Sequence, residues 1–283
     1  RTNLELMRSL SGGRQGSLLA AIDRTVTGPG ARLLAARLAA PLTETVAIDD
    51  RLDAVQFFID DTPRRADLIV HLRRCPDMMR ALSRLTVRRG GPRDLAAISG
   101  GLDVAAEVQA LLAGTDLPLP AEVAAAAEAL IHHEVLRDRL ARALADEMPL
   151  LVRDGGFIRT GYAPELDELL KLRDDGRRMI ADLQSRYRGE TGVDSLKVRH
   201  NNVLGYFIEV TPRHSDKMGE AFIHRQTMAS AMRYTTTELA DLARDISEAA
   251  EKALAVELSL FDNLLGEVAA RADAIAAAAN GLA

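Results

Sequence analysis

Apolar residues recur along the first half of the chain at the spacing of helices. From Ser17 to Ala40 the positions Leu18, Ile22, Leu33, Leu34 and Leu38 predict helix, with Gly28-Pro29-Gly30 forcing a turn or a restart and Pro41 a stop. Asp49 to Asp60 reads as a short amphipathic helix ended by Thr62-Pro63. Further helices are predicted from Arg64, from Pro76, and from Pro92 after the Gly90-Gly91 break. Pro118 and Pro120 interrupt again, and Ala121 to Met148 reads as one more helix. Such short, Gly/Pro-rich connections suit helices packed on one another.

After Gly155-Gly156 and Gly161-Tyr162 the texture changes. Residues 164–191 predict a helix of roughly 42 Å, striped by Leu166, Leu169, Ile180, Leu183 and Tyr187. Period-two alternation then predicts strands at Leu196 to His200 and Val203 to Thr211, joined by Asn201-Asn202, residues that tolerate the positive φ of tight hairpins. A weaker strand pair is expected over Ala221 to Thr227 and Met232 to Thr236. Thr237 to Asn280 contains no Pro and predicts one continuous helix of roughly 66 Å. Its seam is Leu254, Leu258, Phe261, Leu265, Val268, Ala272 and Ile275, preceded by Leu239, Leu242, Ile246, Ala249 and Ala253. The expected fold is mainly α: a multi-helix body, then two long antiparallel helices, 164–191 outgoing and 237–280 returning, with a small β-rich piece at their far end. The boundaries this implies are 1–163, 164–236 and 237–283.

Composition agrees with helices. Of 283 residues 47% are hydrophobic, aromatics are 4% and Trp is absent, which disfavours a sandwich or barrel. The 36 basic and 41 acidic residues give a net charge of -5, excluding a uniformly basic coat while leaving room for local patches. No apolar run approaches the roughly 20 residues of a membrane span. Cys75 is the single cysteine, so no disulfide framework or thiolate zinc site is expected. A start at Arg1 and a stop inside a helical pattern read as a soluble piece of something longer, from a reducing compartment.

Catalytic chemistry is sparse. There is no Gly-Lys dipeptide for a phosphate-cradling loop and no Gly-x-Ser-x-Gly elbow. His133-Glu134 lacks the second His of a zinc helix, so His132 and His133 are expected on a helix surface. The adjacent acidic pairs Asp49-Asp50, Asp60-Asp61 and Asp174-Asp175 diverge by ~100° on a helix and read as solvated faces or caps. Cys75, before Pro76, is expected to be an inert thiol.

Two regions are basic. Residues 64–93 carry nine Arg against Asp67 and Asp77, which reads as a solvated helical face with internal ion pairs. Residues 186–236 carry eight basic against five acidic groups, with three of the six His. A hairpin bearing Lys197, Arg199, Asn201, Asn202 and Arg213 at the end of a long helix pair either presents donors to phosphates together or is merely solvated. Phe207-Ile208-Glu209 has the Phe-x-Glu form of a DNA wedge. It sits mid-strand, however, where a base-wedging Phe needs an exposed end.

These residues resemble the MutS family of bacterial DNA mismatch repair proteins, in family order across nearly the whole chain. The matching stretches begin with Asn3-Leu4-Glu5-Leu6, Gly16-Ser17-Leu18-Leu19, Asp23-Arg24-Thr25-Val26-Thr27 and Gly91-Pro92-Arg93-Asp94-Leu95. They continue through Arg153-Asp154-Gly155-Gly156-Phe157-Ile158, Leu196-Lys197-Val198, Gly205-Tyr206-Phe207-Ile208, Arg225-Gln226-Thr227 and Arg233-Tyr234. The resemblance implies a core-lever-clamp segment: a core and lever over 1–163, a clamp inserted over 164–236, and a returning lever helix over 237–283. It implies a non-catalytic segment that embraces double-stranded DNA through backbone contacts and needs no cofactor itself. ATP and Mg would serve an ATPase domain elsewhere in a homodimeric protein, cytoplasmic and associated with the nucleoid, with a MutL-type partner. At the clamp tip Thr227-Met228-Ala229-Ser230 replaces the family's common Thr-Leu-Lys-Asn, removing a Lys and an Asn that would reach phosphate. The backbone contacts are therefore assigned to Lys197, Arg199, Asn201, Arg225 and Gln226. The competing reading is an all-α scaffold that mediates protein contacts through its long helix pair.

Overall fold

The computed structural model describes residues 4–115, 117–131, 133–201 and 203–283; Asn3, His132 and Asn202 lie outside the described residues. The fold is mainly α with one small antiparallel sheet among the described residues, and the chain divides into two compact units. One comprises residues 1–159 and 260–283, the other residues 160–259.

Among the described residues the strands lie outside the first unit, which holds α1 (Leu18–Ile22), α2 (Gly28–Ala39), α3 (Thr45–Asp60), α4 (Thr62–Arg73), α5 (Met78–Thr86), α6 (Pro92–Ala113), α7 (Ala121–Ala129), α8 (Glu134–Ala143) and the last helix of the chain, Ala272–Gly281. The Gly-Pro-Gly segment restarts a helix because Thr27 Oγ1 accepts from the Gly30 N–H at 3.0 Å and Pro29 fits the first turn, where no N–H partner is needed. In α5 the i, i+3, i+4, i+7 set Met78, Ala81, Leu82 and Leu85 is buried. It packs on α6, which buries Leu95, Ile98, Leu102, Val104 and Val108 and also meets α4, α7 and α8. By length and composition α6 is apolar enough to cross a membrane, which corrects the expectation that no run approaches a span; half of its apolar window is buried as core.

Two more expectations need correction. Ala121 to Met148 is not one helix: α7 ends at Ala129, α8 begins at Glu134, and the described residues Leu130 and His133 between them are both buried. His133, expected on a surface, precedes α8 and is 6% exposed.

The second unit holds α9 (Pro164–Thr191) and most of α10 (Thr237–Ala269), with β1 (Lys197–Asn201), β2 (Gly205–Val210), β3 (Ile223–Thr227) and β4 (Met232–Thr235) between them. The helices are antiparallel: Arg186 near the end of α9 pairs with Glu238 at the start of α10, and Gly176 faces Ile246. Nearer the start of α9, Leu169 and Leu172 line a groove with Lys252 and Val256. The sheet order is β1-β2-β4-β3, all antiparallel. Ile208, Val210 and Tyr234 of its inner face join Ile180, Leu183, Tyr187, Val193, Leu196, Leu239 and Ile246 in one buried cluster.

The returning helix is not continuous. It ends at Ala269, and α11 (Ala272–Gly281) restarts after Arg271, whose Nη1 donates to the Glu267 carbonyl at 3.2 Å and satisfies the freed helix end. Its buried stripe keeps most of the expected seam, Leu239, Ile246, Ala249, Ala253, Phe261, Leu265 and Val268, adds Glu257 and Leu264, and leaves Leu258 38% exposed. Leu254 and Leu258 follow the buried Ala253 and Glu257 by one position, about 100° round the helix.

Candidate nucleic-acid interface

The sheet has two chemically different faces because its strands alternate. Register pairs Val198 with Ile208, Arg199 with Phe207, Ile208 with Tyr234 and Glu209 with Arg233. Val198, Tyr206, Ile208, Val210, Met232 and Tyr234 therefore point to the helices. Lys197, Arg199, Phe207, Glu209, Arg233 and Gln226 share the outer face. One cross-strand row on that face runs Lys197, Glu209, Arg233, Gln226 over all four strands.

Charge on the outer face is organised around Glu209. One carboxylate oxygen lies 3.1 Å from Arg199 Nε, the other 3.3 Å from Arg233 Nε. Arg233 Nη1 also donates to Gln226 Oε1 at 2.9 Å, and its guanidinium lies 4.5 Å from the centre of the Phe207 ring. This cation–π roof explains how a phenyl ring on an outer face is only 3% exposed. A ring so covered has no free edge to insert between bases, and Phe207 shares its face with Glu209 while Ile208 turns inward.

The five residues expected to meet DNA fall on this unit with different freedoms. Lys197 and Arg225 are exposed and have no hydrogen-bond or ion-pair partner among the described residues. Arg225 occupies a bulge in β3, the register passing from His224–Tyr234 to Gln226–Arg233, so its side chain is re-aimed from the ladder. Arg199 is bound to Glu209. Gln226 keeps its amide N–H₂ for an acceptor while its oxygen serves Arg233. Asn201 is partly committed to shape: its Oδ1 accepts from the backbone N–H groups of Val203 and Leu204 at 2.9 and 2.7 Å, closing the β1–β2 turn. Among the described residues of that turn Gly205 has a positive φ, +66°. Arg233 was not among the five, although strand alternation over Met232–Thr235 puts it on the same face as Phe207 and Glu209.

The sheet is fastened to its helices. Tyr187 Oη and Thr236 Oγ1 form a buried hydrogen bond of 2.7 Å, and Thr236 Oγ1 also accepts from the Leu239 N–H at 3.0 Å. Gln184 Oε1 accepts from the Val198 N–H, and Arg188 Nε donates to the Leu196 carbonyl, both at 2.8 Å. None of these anchors was legible as functional from the sequence.

The other basic region is mostly spoken for. Arg64, Arg74, Arg80 and Arg84 are ion-paired with Asp61, Glu107, Asp77 and Asp94. Arg65 and Arg93 donate to the carbonyls of Phe58 and Met148. This leaves Arg73, Arg88 and Arg89 exposed in the first unit. Burial pushes the half-buried Cys75 thiol up to about 11, with the nearby Asp77 charge adding to it.

The family described as MutS domain III matches residues 1–283. The chain is 53% identical over 289 residues to the DNA mismatch repair protein MutS of Rhizobium meliloti (strain 1021), a match covering all of this chain and 31% of that protein. The chain thus spans about a third of the length of this relative.

Proposed function

The chain belongs to the MutS domain III family of DNA mismatch repair proteins, and from that premise we propose that its 160–259 unit holds duplex DNA by the phosphate backbone. The observation that carries this is the outer sheet face: Lys197, Arg199 and Arg233 in adjoining rows with Glu209 as their one carboxylate, and Arg225 displaced beside them by a bulge. Guanidinium forks and an ammonium on a sheet suit phosphate oxygens, contacts that position DNA without reading its sequence. The pair α9 and α10, anchored through Tyr187–Thr236 and Gln184–Val198, supplies a stiff lever for passing rearrangements between DNA and an ATPase domain. In the same reading the whole protein is a cytoplasmic, nucleoid-associated homodimer that uses ATP and Mg outside this segment and meets a MutL-type partner. This segment acts without catalysis of its own.

The exposed Val46, Leu52, Val55 and Ile59 of α3 favour a second reading, a scaffold docking other proteins. Fluorescence anisotropy with matched and mismatched duplexes separates the two. A backbone clamp gives equal affinities for both, on the order of 10⁻⁴–10⁻⁶ M near physiological salt, with log K falling linearly in log salt. A scaffold gives no binding at any salt, and a preference for the mismatch would refute backbone-only contact.

A further inference from the structure

Resting on the DNA-backbone reading, we infer that Glu209 is a resident competitor for phosphate: its carboxylate occupies the anion site on the outer sheet face, and DNA must displace it to bind. Its two oxygens are divided between two arginines, Arg199 Nε at 3.1 Å and Arg233 Nε at 3.3 Å. This is the bridging geometry that a phosphate with two free oxygens would take. The site is built in advance. Arg233 is held flat over Phe207 and tied to Gln226, and its side chain is 18% exposed, so it stays in place whether the anion is Glu209 or a phosphate.

Arg199 is the mobile half, with 54% of its side chain exposed and no partner other than Glu209 among the described residues. Lys197 lies directly across the strand pair from Glu209, yet its ammonium has no partner among the described residues. The face therefore presents three cations, two of which share one carboxylate at rest, so a net positive charge remains for DNA. Exchange of the carboxylate for a phosphate lets the protein grip DNA while keeping an internal anion to promote release.

A competitor and a mere positioning residue give opposite signs. If Glu209 only oriented the two arginines, removing its charge would loosen them and weaken binding. As a competitor, its removal tightens binding and adds phosphate contacts. Glu209→Gln retains size and a hydrogen-bonding oxygen, so the strand pairing is preserved.

The test is anisotropy of a fluorescein-labelled duplex across a salt series, with wild type, Glu209→Gln, and Glu220→Gln as the control. Glu220 is an exposed carboxylate of the same unit with no ion pair among the described residues. The expected result is tighter binding by Glu209→Gln and a salt slope steeper by about 0.9 for each phosphate gained. The advantage then shrinks about 3.5-fold per added contact between about 50 and about 200 mM salt. Glu220→Gln changes affinity slightly and leaves the slope alone. Adding Arg199→Ala to Glu209→Gln removes the gain.

A Glu209→Gln protein with unaltered circular dichroism that binds no better than wild type, or only as much better as Glu220→Gln, overturns the inference while the clamp reading stands. Wild type that fails to bind at any salt defeats the clamp reading itself.

Discussion

At Gly176 the two long helices of the second unit approach so closely that a side chain has no room. A Cβ there would lie 2.5 Å from Ile246 Cγ1 and 3.1 Å from its Cδ1, with Leu242 Cδ1 at 3.7 Å. Gly176→Ala sets two effects against each other. Ala is the better helix former by about 1 kcal/mol. Against this, Ile246 is buried and β-branched, so its Cγ1 cannot swing away like the tip of a long chain, and overpacking costs about 1–3 kcal/mol. The clash wins, with a net loss of about 1 kcal/mol.

The assay is urea unfolding followed by tyrosine emission. All four Tyr lie in residues 160–259 and the chain has no Trp, so this signal reports the second unit alone. Ile246→Ala, which removes Cγ1, costs about 2–5 kcal/mol by itself. In the double variant the new methyl occupies the space vacated, and the loss falls short of the sum by about 1–2 kcal/mol. A Gly176→Ala protein more stable than wild type, with effects that add in the double variant, would refute the close helix crossing.

Other consequences follow from single contacts. Asp77 caps α5 by accepting from the Arg80 N–H and pairs with Arg32 at 2.8 Å, so Asp77→Ala should lose about 1 kcal/mol in thermal melts. Burial raises the Asp77 pKa, but hydrogen bonds from Arg32 and Arg80 outweigh it and hold the carboxyl below its ordinary 3.8. Its contribution is therefore present above that value and lost as pH falls through the lower folded one, so the Asp77→Ala deficit should shrink below about pH 4. Because the thiolate is the reactive form and Cys75 is pushed up to about 11, native Cys75 should alkylate with iodoacetamide about a hundredfold more slowly than in urea. Tyr187→Phe removes the buried bond to Thr236 and should cost about 1 kcal/mol in urea unfolding of the second unit, and an unchanged midpoint would deny the anchor.

Local patterns carried the sequence reading where local chemistry decides the structure. Pro164 and Gly192 bound α9, and alternation from Gly205 to Val210 put Phe207 and Glu209 on one face of a real strand. Reading failed where tertiary packing decides. Nothing in the Ala-rich run around Ala270-Arg271 disfavours helix, yet α10 stops there. The break between α7 and α8 likewise lacks Pro or Gly, and its described residues Leu130 and His133 are buried. The strand order, with β4 between β2 and β3, is set by long-range pairing that no single-strand pattern carries, and it is this order that brings Arg233 against Glu209. Of the assigned phosphate contacts, Lys197 and Arg225 are exposed without a side-chain partner among the described residues, whereas Asn201 spends its oxygen on a turn, a local Asx preference that the residue type itself announces.

The central claim is that DNA is held at the sheet of the 160–259 unit, and comparing two double variants by anisotropy across a salt series tests it most directly. Lys197→Ala with Arg225→Ala removes the two strand cations whose side chains have no partner among the described residues, while Arg88→Ala with Arg89→Ala removes two exposed cations of the first unit. The account expects the first pair to weaken binding to all duplexes alike and to lower the salt slope by about 2, and the second pair to leave both unchanged. The reverse pattern, binding lost with Arg88 and Arg89 and kept without Lys197 and Arg225, would contradict it.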